Sequence, residues 1–238
     1  MSTTLTTTTG SVAARARDDR PEAGGREARR ARRREVMAAR AAALPAVPTR
    51  TARLTGGLVA VGALSWATSF LLVGGHSETE VGQTVGDLMA VPFQAGLFAL
   101  LALQLRTRAA GLGRGVVGFM YVEFFLLSLA TAWSLIHGLA PSLRDEAWLA
   151  ALDLSWPLSM LGMAVLGVKI AVAGRWRGPV RAWPAVAESW APVCVPVFIV
   201  FGAGLHADVI GAVHLLLGYT TLGLLLLAKP HLTGARDA

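Results

Sequence analysis

From residue 54 onward the chain is a succession of apolar runs of about 20 residues, the length needed to cross roughly 30 Å of hydrocarbon as a helix. They lie at 54–73, 86–105, 116–139, 149–173, 184–202 and 208–228. Turn and charge signals separate them: "GGHSETEVGQTVG", "RTRAAGLGRG", "APSLRDEA", "GRWRGPVRAWP" and "GAGLHAD". The fifth run is the most interrupted, by Glu188, Pro192 and Pro196. The short connections force antiparallel neighbours, so the pattern predicts an all-α, polytopic membrane protein, a compact bundle of six transmembrane helices.

Composition agrees, with 54% hydrophobic and 16% charged residues and a mean hydropathy of +0.53. Soluble domains carry about 25% charged residues. The formal charge of +7 is carried by residues 1–53, where twelve arginines face five acids, while the rest of the chain balances ten against ten. That segment opens with the low-complexity run "MSTTLTTTTGS" and reads as a disordered basic tail, able to become helical from about Arg26 to Leu44 on an anionic surface. Anionic lipid headgroups are its expected contact. Nucleic acid is disfavoured, because no aromatic is interleaved with the arginines. It lacks the apolar core of a secretory signal, and Met37 offers an alternative start.

Arginine and lysine placement sets the expected orientation. One side of the spans carries Arg50, Arg53, Arg106, Arg108, Arg114, Arg175, Arg177, Arg181, Lys229 and Arg236; the other carries only Arg144. Both termini are therefore expected in the cytoplasm, with residues 230–238 a short tail and the bundle in the cell membrane among its lipids. Cys194, the single cysteine, excludes an intramolecular disulfide and CxxC chemistry. No Walker, Rossmann or G-x-S-x-G signature stands at a strand-to-helix turn.

At about 100° per residue, Glu123, Leu127, Ala130, Ser134 and His137 form one stripe of the third run. Asp87, Ala90 and Gln94 share a face of the second, Gly62, Ser65 and Ser69 of the first, and Gly211, His214, Gly218 and Thr221 of the sixth. Stripes of small and polar residues are what close helix packing in lipid selects. Ionisable residues at such depth are costly and point to function. Glu123 and Glu188 fall toward the inner leaflet. His76, Asp87, His137, Asp153, His206, Asp208 and His214 fall toward the outer margin.

Glu123 and His137, roughly 21 Å apart along the axis, need partners on other helices; Glu188 is the inner candidate and His214 the outer. Asp153 reads as an N-terminal cap of the fourth span and Trp156 as part of an interfacial belt. Pro192 frees the carbonyl of Glu188, leaving a bend, a hinge, or a cation or proton site. His137 and His214, with His76 and His206, could hold a single metal or one outer haem. The leading expectation is a small transporter-like, sensory or accessory protein with an intramembrane polar site. The alternatives are a membrane-embedded enzyme acting on a lipid or isoprenoid, by a metal at these histidines or a carboxylic acid proton donor, and a structural or partner-binding protein.

Overall fold

The computed structural model describes residues 27–32, 35–37, 39, 44–202 and 204–237. The chain divides into a unit of residues 1–43 and a unit of residues 44–238. In the first, residues 27–32 and 35–37 are helical. The expectation of disorder before residue 27 lies outside the described residues.

The second unit holds six helices long and apolar enough to cross a membrane: α1 (Thr49–Leu72), α2 (Glu80–Thr107), α3 (Arg114–Leu139), α4 (Ala147–Ala173), α5 (Pro179–Phe201) and α6 (Leu205–Ala228). All six coincide with the apolar runs, and each begins earlier. Helix α2 starts six residues before its run because Thr79 caps it, its hydroxyl accepting the N–H of Gly82 at 3.1 Å, with Glu80 in the first turn. Polar residues at a helix start are helical when capped, which an apolar count does not register.

The outward surface is apolar. Leu72, Val172, Ile199, Val200 and Phe201 are each about seven-tenths exposed, as are many similar residues around the bundle. So wide an apolar belt is foreign to a water-exposed surface and compatible with a multi-pass membrane protein.

Inside, glycines let the helices touch. A Cβ on Gly56 of α1 would fall 2.5 Å from the carbonyl oxygen of Gly223 in α6, and the reverse distance is also 2.5 Å. The two backbones are thus in direct contact. Further along, Gly62 seats against Pro92 and Phe93 of α2, and Ser65 donates to the carbonyl of Met89 at 2.9 Å. The small-residue stripes thus serve packing.

Three helices are irregular. Helix α4 is interrupted at Leu154, between Ala147–Asp153 and Ser155–Ala173. Helix α5 breaks at Glu188 and Ser189, between Pro179–Ala187 and Trp190–Phe201. In α6 residues Leu216–Thr220 form a π-helical turn. The indole N–H of Trp183 donates to the carbonyls of Leu217 and Gly218 there, at 3.2 and 3.0 Å, satisfying groups that the distortion frees.

The ends are tied. At one, Arg144 reaches the carbonyl of His137, Gln83 Oε1 and Thr84 Oγ1 at 2.9, 3.0 and 2.7 Å, and Asp208 Oδ1 accepts the Gly75 N–H at 2.7 Å. At the other, Trp176 donates to Thr107 Oγ1 at 3.0 Å. There residues 230–237 lie against the bundle: Arg177 N–H donates to the Leu232 carbonyl, and Arg236 exchanges backbone hydrogen bonds with Val47 and Thr49.

Candidate functional site

The interior polar groups fall into two tiers. The first surrounds a cavity of about 800 Å³ at the Arg144 end. Its aromatic wall is centred on Trp66, whose ring lies 5.2 Å from Trp156, 5.2 Å from Trp190 and 5.4 Å from Phe70, with Phe93 stacked behind it at 4.9 Å. The rings come from α1, α2, α4 and α5, and Phe198 closes the group.

The rim of the cavity is polar and ionisable. His137 Nδ1 lies 2.6 Å from Asp87 Oδ2, and the imidazole stacks on Trp133 at 4.6 Å. His76 and Asp153 also line the opening. Deeper, Ser134 accepts from Gln94 Nε2 at 2.9 Å and from Trp156 Nε1 at 3.1 Å, while Gln94 Oε1 has no partner among the described residues.

The second tier lies deeper in the bundle. Glu123 of α3 is buried, and its Oε1 accepts the hydroxyl of Ser159 in α4 at 2.5 Å. Gly162, one turn on, makes room for that carboxyl group, since a Cβ there would overlap Oε2. Glu188, fully buried at the break in α5, accepts from Gln104 Nε2 of α2 at 3.0 Å, and its Oε2 has no partner among the described residues. The buried hydroxyl of Tyr219, in the π turn of α6, is also unpaired among the described residues and lies within electrostatic range of both glutamates. Among the described residues neither carboxyl group has a cationic side chain within 4 Å.

The tiers adjoin. Met160 lines the cavity and follows Ser159, the partner of Glu123. Trp190 and Ala191 line it too, just beyond Glu188. Ser159, the hydrogen-bond partner of Glu123, is thus one peptide unit from the cavity wall, and Glu188 is two peptide units from it.

Several sequence expectations are corrected. Glu123 is partnered by Ser159 rather than by Glu188, each glutamate taking a neutral donor from a different helix. His137 is partnered by Asp87, not His214. His214 lies roughly 14 Å along α6 from its start, so it is inside the bundle rather than at the margin. Its Nε2 meets Ser189 Oγ at 3.1 Å. Since that hydroxyl also lies 2.7 Å from the Val186 carbonyl, it donates there and accepts the imidazole N–H. Asp153 ends the first part of α4 and makes no capping hydrogen bond; Leu154 holds the cap position of the second part. Trp156 lines the cavity, with its indole N–H on Ser134.

The four histidines do not gather. His76 and His137 line the cavity, His214 is deeper, and His206 is exposed outside the lining. Among the described residues no three His, Cys, Asp or Glu side chains converge as a metal site would need. The four histidines thus do not form one metal cluster among the described residues.

Sequence reasoning passed over Gln104, Ser159 and Tyr219, and did not place Trp66 or Trp190. The signal available was the burial need of Glu123 and Glu188, which calls for neutral donors at matching depth on neighbouring helices.

The fold and site define a six-helix bundle compatible with the multi-pass membrane class, with an aromatic cavity above two buried carboxyl groups. Comparison with family models, with curated proteins and with solved structures finds no match to this chain.

Proposed function

We propose that the protein is a small-molecule carrier of the membrane, in which the cavity holds the solute and Glu123 and Glu188 exchange protons as it moves. The observation that supports this most is the position of Glu188. It sits at the break of a discontinuous helix, fully buried, with one carboxylate oxygen unpaired. Broken helices near the middle of a bundle are where carriers place substrate and coupling-ion sites, because irregular backbone there lines a cavity instead of facing lipid. A carboxyl group held only by an amide in such surroundings is a natural place for a proton to bind and leave.

In this reading the cavity end faces outward, as the arginine asymmetry predicts, and the carboxyl tier stands between the cavity and the cytoplasmic side. Proton loss at Glu188 would place a charge at the break in α5, and the connected segment from Trp190 onward would respond. That links proton state to the shape of the aromatic wall.

Reconstituted proteoliposomes containing a pH indicator test the reading. A panel of anionic, neutral and cationic solutes is added outside, and luminal pH is followed. Solute-dependent proton movement is expected for the wild type and not for Glu188→Gln. Unchanged proton movement in Glu188→Gln, or none in the wild type with any class of solute, contradicts the proposal.

A further inference from the structure

We infer that the cavity at the Arg144 end takes a lipophilic organic cation, an ammonium or phosphonium group carrying aromatic or alkyl substituents. This names the solute class for the carrier proposed above and rests on that reading only in taking the cavity as the ligand site.

Charge and surface chemistry together carry the assignment. Among the described residues the side chains lining the cavity include two carboxylates, Asp87 and Asp153, two histidines, His76 and His137, and no lysine or arginine. Arg144, the nearest guanidinium, is held on the loop side by the carbonyl of His137 and by Gln83 and Thr84, and does not line the space. Asp87 is engaged by His137 at 2.6 Å, whereas the exposed carboxylate of Asp153 is paired with no cationic side chain among the described residues. Asp153 is thus available to a cation at the opening.

Beneath that acidic rim the wall is aromatic: Trp66, Phe70, Trp156, Trp190 and Phe198. Two of the indole N–H groups are already used within the protein, that of Trp156 on Ser134 and that of Trp190 on the carbonyl of Gly211. What these two tryptophans offer a ligand is therefore their ring faces and edges. Ring faces attract cations, and tryptophan does so most strongly. A diffuse cation loses little hydration on entering such a wall, while an anion would meet both the carboxylates and the negative ring faces. A neutral hydrocarbon would gain the apolar contact and nothing from Asp153. A volume of about 800 Å³ admits a tetra-aryl cation or a drug-sized amine.

The test uses two probes of nearly equal size and opposite charge, tetraphenylphosphonium and tetraphenylborate, with the detergent-purified full chain. Binding of radiolabelled tetraphenylphosphonium is measured at equilibrium. Saturable binding near one per chain is expected, with tetraphenylborate, assayed in a separate sample, binding about tenfold more weakly or not at all. Asp153→Asn and Trp156→Leu are each expected to weaken it about tenfold. Asp153 is exposed at a helix end, so its substitution leaves the fold intact and keeps the outcome readable if Trp156→Leu fails to fold.

Absence of saturable binding, equal or tighter binding of tetraphenylborate, or an unchanged affinity in Asp153→Asn overturns the assignment. Saturable cation binding by a protein that moves no protons in proteoliposomes supports the cation assignment and removes the carrier reading, so the two failures are distinguishable.

Discussion

Gln104 of α2 meets Glu188 at the break of α5, amide to carboxyl at 3.0 Å, where neither side chain has another hydrogen-bond partner among the described residues. An extended polar side chain from one helix thus compensates an interruption in another. Removing one partner of a buried pair costs more than removing both, because the survivor is left unsolvated. Gln104→Leu is expected to destabilise the protein by about 1–3 kcal/mol. The double variant Gln104→Leu with Glu188→Leu should recover much of that loss. Unfolding in mild detergent, monitored by tryptophan fluorescence, measures the cycle; additive losses would mean that the pair is not coupled.

The Glu123 pocket is shaped by a missing side chain. Gly162→Ala places a methyl group where the carboxyl oxygen stands, so it should cost about 1–3 kcal/mol, as overpacking does. In a Glu123→Ala background the same substitution should be nearly neutral. Equal effects in the two backgrounds would show that Glu123 is not what fills the space beside Gly162.

Trp183 stabilises the π turn that carries Tyr219. Trp183→Phe keeps an aromatic ring but loses the donor to two carbonyls, and is expected to cost about 1 kcal/mol. It should also speed amide exchange at Gly218 to Thr220 relative to the rest of α6. Exchange unchanged in that segment would indicate that the turn is held by packing alone.

Membrane orientation is open to a labelling test, because the one native cysteine, Cys194, is fully buried. Glu78→Cys, at the cavity end, should react with an impermeant maleimide in intact cells. Gly113→Cys, at the arginine-rich end, should react only after permeabilisation. The opposite pattern would invert the bundle and place the cavity toward the cytoplasm.

Runs of apolar residues were enough to find all six helices, since length and hydropathy are properties of one segment at a time. Helical periodicity also identified the buried face of α3 from Glu123 through Leu127 and Ala130 to Ser134. It could not select partners. Whether Glu123 meets Ser159 or Glu188 depends on the relative heights and tilts of α3, α4 and α5, which no single helix encodes. The break at Glu188 was signalled by Pro192, whereas the π turn at Leu216–Thr220 had no proline to announce it and depends on Trp183 from another helix. The aromatic wall is the extreme case, because its rings come from four helices far apart in sequence.

The central claim is that Glu123 and Glu188 exchange protons within the bundle. Infrared difference spectroscopy of the purified protein between acidic and alkaline pH reads this directly, through the carbonyl stretch of protonated carboxyl groups. Two titrating bands from water-poor surroundings are expected in the wild type, with Glu123→Gln removing one and Glu188→Gln the other. A difference spectrum that is the same in both variants as in the wild type would contradict it.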